Sequence, residues 1–262
     1  ERRYGLLSPQ RTDKGHRLYS ETDVATIEKI LSLVARGVPL RKVKALLGQQ
    51  DAATTDSDAD NWSQQISELE AAISSYSAGK IEHFINDLFL NYPVSLCRQK
   101  LIEPTLQALS HKQSKAAYLF AESALIRYTL FRLDANTAKD KRSAITLICG
   151  ENTPLWRLCL MAMELADSNY KTQILCRPFA VADGIELSAK LKKSTTLFYQ
   201  DGTWKPDDAE IIKAALIADK SLLLCGTAAM LAGIKDDTRV FEDLNQSIAF
   251  LCKQQTGDTH YL

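Results

Sequence analysis

The side chains best suited to chemistry lie at the start of the chain. Arg2, Arg3, Arg11, Lys14 and Arg17, with His16 and Tyr19 between and after them, fall within the first twenty residues. Guanidinium and ammonium groups at this density are phosphate ligands. Each one near a phosphate releases counterions and adds a salt-sensitive, sequence-independent share of affinity. Such contacts position a protein on a duplex rather than read its bases. Lys14 joins the group for its charge and location alone. His16, beside Gly15, has a second reading as a loop residue bonding its own backbone. The competing reading of the whole cluster is a solvated, salt-bridged surface.

Elsewhere the chemistry is thinly marked. Cys97, Cys149, Cys159, Cys176, Cys225 and Cys252 are scattered through apolar surroundings without a CxxC pair. Neither a zinc knuckle nor a disulfide framework is expected, and buried, reduced thiols are. No GxGxxG, GxxxxGK[ST] or GxSxG is present, so dinucleotide, P-loop and hydrolase chemistry lack motif support. No catalytic residue, metal site or enzyme activity is expected. Gly226-Thr227 could bring backbone to an anion at a helix start, but such a pair more often makes an ordinary strand-to-helix turn.

The elements that must hold the basic cluster are legible. Residues 1–4 read as the last turn of a helix, with Gly5 placed to cap it, so the chain is expected to be a fragment lacking its true start. Pro9 opens a hairpin-like loop whose turn is supplied by Asp13, Lys14 and Gly15. Ser20 and Asp23 cap an amphipathic helix carrying Val24, Ile27, Ile30, Leu31 and Val34, and Pro39 starts another that ends at Gly48. Residues 1–48 hold ten basic and five acidic residues, a net of +5, and since the 262-residue chain sums to zero, the remainder carries −5. Residues 49–61, with four Asp and no basic or large apolar residue, have the composition of a linker.

From 62 to 138 apolar residues recur at three and four (Ile66, Leu69, Ile73), with Pro93 and Pro104 as punctuation, so a bundle of about four helices is expected. From 139 to 262 short apolar runs at 144–149, 172–176, 195–199 and 221–225 alternate with helix-length segments. That alternation predicts an α/β doubly wound domain on a five-stranded parallel sheet, closed by a short strand at 239–241 and a terminal helix. Ligands of such sheets sit beyond the carboxyl ends of the strands, here 150–153, 177–179, 200–203 and 226–228. No apolar stretch approaches the roughly 20 residues that cross a bilayer, and no charged-then-apolar leader opens the chain. The expectation is a soluble, cytoplasmic protein.

The run RRYGLLSPQRTDKGHRLYSETDV followed by ARGVPLRKVKALL resembles the winged-helix DNA-binding domain of the MerR family of transcription regulators. The likeness covers roughly the first 48 residues and omits the preceding helix-turn-helix with most of the recognition helix. It implies that wing arginines and a wing tyrosine contact phosphates: Arg2 and Arg3 at the helix end, and Arg11, His16, Arg17 and Tyr19 in the wing. It also implies a homodimer on double-stranded promoter DNA, acting on RNA polymerase indirectly through that DNA, in the bacterial nucleoid. With the recognition helix truncated, residues 1–262 alone are expected to bind DNA poorly.

A bundle and a small α/β domain behind such a head resemble the cobalamin-binding, light-sensing and repressor branch of that family. The branch implies a cobalt-ligating histidine after the first sheet strand, then a glycine, and a Trp with a Glu-His pair in the bundle. Here Thr153 stands at the histidine and Trp156 at the glycine, Leu119 and Phe120 stand at the Glu-His pair, and Leu109 at the tryptophan. No histidine lies between His111 and His260, and a hydroxyl replaces imidazole poorly at this metal. The resemblance therefore extends best to the branch that controls curli and biofilm genes, with a degenerate sensor and no cofactor. The alternatives are a cobalamin- or other small-molecule-sensing regulator, and a corrinoid-binding module of a methyltransferase-like enzyme.

Overall fold

The computed structural model describes residues 6–7, 10–11, 17–47, 57–111, 115–134, 142–151, 153–191, 194–234 and 237–257. The described residues fall into two compact units, 1–124 and 125–262.

In the first unit, β1 (Gln10–Arg11) and β2 (Arg17–Leu18) form an antiparallel ribbon, the hairpin expected after Pro9. Helix α1 (Glu21–Ala35) begins at a complete capping box. Ser20 Oγ accepts from the Asp23 N–H at 3.1 Å and the Asp23 carboxylate accepts from the Ser20 N–H at 2.9 Å. Gly37, at φ +89°, turns the chain into α2 (Leu40–Leu47). Helix α3 (Ser57–Ser74) starts inside the segment read as a linker, which shortens that reading. The reason is visible in retrospect, because Ser and Asp at 57, 58 and 60 suit a helix start, where the dipole favours acids.

The bundle continues through α4 (Ala78–Asn91), α5 (Val94–Cys97), a π-helical turn (Arg98–Ile102) and α6 (Glu103–His111). Pro93 separates α4 from α5, but Pro104 does not break the chain. It lacks an N–H and crowds the preceding turn, and the helix widens there into i→i+5 bonding, with the Glu103 N–H reaching the Arg98 carbonyl. Leu69, Ile73, Ile81, Ile85, Leu101 and Leu106 are buried in this unit. Helix α7 (Lys115–Asp134) is divided between the two units. Its last turns go with the α/β domain because Leu133 packs on that domain's core.

The second unit alternates β3 (Ser143–Cys149), α8 (Leu155–Asp167), β4 (Tyr170–Ile174), α9 (Val181–Lys190), β5 (Thr195–Tyr199), α10 (Pro206–Ala218), β6 (Leu222–Cys225), α11 (Thr227–Leu231), β7 (Val240–Phe241) and α12 (Leu244–Gly257). The five strands are parallel in the order β4-β3-β5-β6-β7, as expected for a doubly wound sheet. Strand period two divides the core. Ile145, Leu147 and Cys149 face α8 and α12 through Leu158, Met161 and Leu251, while Ile148, Phe198 and Leu224 face Val181, Ile212 and Leu216. Four cysteines are buried, but Cys176 is exposed and Cys252 half-buried, because β4 ends at Ile174 and leaves Cys176 in a loop.

Candidate functional site

Two places match the chemistry read from the sequence: the ribbon of the first unit and the carboxyl end of the sheet in the second. In the ribbon the register pairs Gln10 with Leu18 and Arg11 with Arg17. Two cationic residue types thus share one register position of the ribbon. Tyr19, 41% exposed, leads into the α1 cap. Arg2, Arg3, Lys14 and His16 lie outside the described residues, as do the side chains of Arg11 and Arg17.

Behind the ribbon, the α1–α2 corner is seated on the bundle. The Tyr92 hydroxyl donates to the Gly37 carbonyl at 2.8 Å, and Trp62 Nε1 donates to the Ala35 carbonyl at 3.3 Å. The two rings meet at a tilt of 46° with centroids 5.0 Å apart, and Arg41 of α2 faces Asp87 of α4 at 3.6 Å. A side chain at Gly37 would meet Asn61 Cβ at 3.0 Å and Trp62 Nε1 at 3.1 Å, so glycine here serves both the turn and the close approach. Burial pushes the Tyr92 phenol up to about 12, which keeps it a hydrogen-bond donor at any physiological pH.

At the carboxyl end of the sheet the strand order reverses between β3 and β5, the usual place for a ligand. The buried Gln200 side chain fills the space beside Gly150, where an added Cβ would lie 2.5 Å from Gln200 Oε1. Next to it Asp201 gathers several bonds. Its Oδ2 accepts from the Tyr199 hydroxyl at 2.6 Å and from Arg157 Nη1 at 3.3 Å, and its Oδ1 accepts from the Thr227 N–H at 3.2 Å. Arg157 also donates to the Tyr199 hydroxyl at 3.1 Å and lies over the Trp156 ring at 5.5 Å. Burial, and then the bond to Asp201, raise the Tyr199 pKa far above the usual phenol value.

The positions singled out for cobalamin fall as follows. Thr153 is buried; its hydroxyl donates to the Glu151 carbonyl at 3.3 Å and accepts from the Asp201 N–H at 3.2 Å. Trp156 is buried in the first turn of α8. Leu119 is exposed, Phe120 stands edge-on to Tyr76 at 5.4 Å, and Leu109 is buried in the bundle. A corrinoid would need a cobalt ligand and open space above the strands. Thr153 offers a hydroxyl already engaged on both sides, and Gln200 occupies the switch point, so these residues do not fit the group. Among the described residues, no cluster of three His, Cys, Asp or Glu side chains could hold a metal ion. No helix among them is long and apolar enough to cross a membrane.

Residues 1–50 match the family described as "MerR HTH family regulatory protein". Over this segment the chain is similar to a MerR-type head. Homology continues beyond it. The chain is 32% identical over 163 residues to the "HTH-type transcriptional regulator MlrA" of Escherichia coli (strain K12), covering 60% of this chain and 64% of the relative. It is 30% identical over 162 residues to the protein of the same description in Salmonella typhimurium (strain SL1344). The "HTH-type transcriptional repressor CarH" of Myxococcus xanthus is 24% identical over 141 residues, 48% of this chain and 45% of the relative. The match thus spans a little under two thirds of the length of the first curated relatives. Among solved structures, the Methanosarcina barkeri monomethylamine corrinoid protein superposes with a TM-score of 0.50 at 13% identity, over 73% of this chain and 99% of that one. The likeness is one of fold and supports the expected helical and α/β architecture.

Behind the MerR-type head, the joint made by Gly37, Trp62 and Tyr92 was not legible in the sequence. Its bonds join residues 27 and 55 positions apart. Arg157, Tyr199 and Asp201 were missed for the same reason. The available signal was the Asp201-Gly202 pair one residue beyond the third apolar run, a turn sequence at the ligand end of a sheet.

Proposed function

We propose that this chain acts in a MerR-type transcription regulator that binds double-stranded promoter DNA as a homodimer. It works at genes of the biofilm or curli kind, as the relation to the MlrA proteins suggests. In this reading the protein is no enzyme, resides in the bacterial cytoplasm at the nucleoid, and reaches RNA polymerase only through promoter DNA. Residues 1–48 are the winged head, 49–61 the linker region, 62–138 the bundle and 139–262 the sensor-like domain, which works without cobalamin.

The observation that carries the reading is the ribbon, which sets Arg11 opposite Arg17 within a segment of net charge +5. Phosphates relieve the repulsion between like charges in register, so the ribbon is better satisfied against DNA than in water. Arg2, Arg3, Lys14, His16 and Tyr19 are assigned as further backbone contacts.

The test is a salt titration of binding to duplexes selected from a randomised pool, read by fluorescence anisotropy. Arg17→Ala is expected to weaken binding to all duplexes alike and to reduce the slope of log K against log salt by about one. Binding by Arg17→Ala indistinguishable from wild type at every salt concentration removes the ribbon from the interface.

A further inference from the structure

We infer that the α/β domain carries its own closure at the place where doubly wound sheets take a ligand. Through its carboxylate and its N–H, Asp201 ties together the segments that follow three strands, much as a bound anion would, and holds them in one fixed arrangement. The inference concerns the second unit and is independent of the DNA-binding reading.

The loops are those that follow β3, β5 and β6, the three central strands of the sheet. Thr153 comes from the first, with Arg157 on the helix that follows it; Asp201 and Gly202 come from the second; Thr227 opens the helix that follows the third. An external phosphate or carboxylate at such a site would be held by backbone N–H groups and a guanidinium. Here those donors are already taken by the protein's own carboxylate, since Thr227 N–H and Arg157 Nη1 both point to Asp201. The return bonds close the circuit. The Asp201 N–H donates to Thr153 Oγ1, and the Gly202 N–H donates to Thr227 Oγ1 at 2.9 Å.

The backbone is shaped to the same end. Gly226 adopts φ +109°, and an added Cβ would lie 2.2 Å from the Gln200 carbonyl oxygen, so the β5 and β6 ends are in direct backbone contact. Ala228 N–H donates to that same Gln200 carbonyl at 3.3 Å. With Gln200 against Gly150 on one side and Gly226 against Gln200 on the other, the crevice is filled from within. Asp201 is thus a positioning residue, a tethered stand-in for a ligand.

Native-state hydrogen exchange on the full chain tests this. The Asp201, Gly202 and Thr227 amides are expected to be protected in the wild type. Asp201→Ala should speed exchange at Thr227 by at least tenfold, leaving Leu224, which bonds the Arg239 carbonyl inside the sheet, unchanged. Thr227→Val, a milder change at an exposed position, should release the Gly202 amide alone. Unchanged Thr227 and Gly202 exchange in these variants overturns the tie. A second arm adds hydroxocobalamin or inorganic phosphate to the wild type. No co-eluting visible absorbance and no added protection of the three amides is expected. A stoichiometric red complex surviving gel filtration, or loops slowed by phosphate, overturns the closure. Failure of the DNA-binding reading would register in the anisotropy titration and would move none of these amides.

Discussion

At the scale of single residues, two strand ends meet closely at Gly226, where a positive φ and the Gln200 carbonyl leave no room for a side chain. Gly226→Ala must shift backbone on two strands, and a cost on the order of 3 kcal/mol is expected, read as a lower urea midpoint with unchanged m. Tyr92→Phe removes one buried donor and leaves the Gly37 carbonyl without it, at a cost of about 1 kcal/mol in the same measurement. Asp237 is held below the usual carboxylate range, first by its side-chain hydrogen bond from Arg239. A depressed folded pKa gives stability that is present above the unfolded value and lost as pH falls through the folded one. Thermal midpoints of wild type and Asp237→Asn should therefore converge as pH drops below about 4, the ordinary carboxylate value; a constant gap down to pH 2 contradicts this. At this scale the sequence spoke clearly only through what is missing. The lack of any histidine from 112 to 259 is visible by inspection, whereas Asp201 gains its meaning from residues 44 and 48 positions earlier, which no local pattern connects.

At the scale of elements, legibility followed periodicity. The runs at 144–149 and 195–199 became β3 and β5 because apolar strands of a parallel sheet are buried on both faces. The run at 172–176 was displaced: β4 is an edge strand, with residues alternately buried and exposed, and it pairs with β3 from Tyr170 onward. Polar composition misled at residues 57–61, where acids that look solvated also open a helix. Caps were more dependable, since Ser20 and Asp23 satisfy each other's backbone as the spacing requires. Ser20→Ala should cost about 1 kcal/mol and fray α1, the helix that follows the ribbon. The check is exchange of the Asp23 and Val24 amides, which should accelerate while those of the sheet do not.

At the scale of the molecule, a net charge of zero first argues against a nucleic-acid partner, and its division into +5 and −5 reverses that argument for one end of the chain. Fold class was readable throughout because helical and strand periods change once, near residue 140. The seating of the head on the bundle was not, because it depends on single aromatic groups rather than on periodic surface. That seating has an optical consequence. Of the three tryptophans, Trp62 sits within the joint while Trp156 and Trp204 belong to the second unit. Replacing those two by phenylalanine leaves one indole, packed at a tilt against Tyr92 and bonded to the Ala35 carbonyl, as the sole long-wavelength emitter. Its emission should shift to the red whenever the head lifts from the bundle and water reaches the ring. The protein therefore carries a built-in fluorescent gauge of any movement of the α1–α2 corner on the bundle.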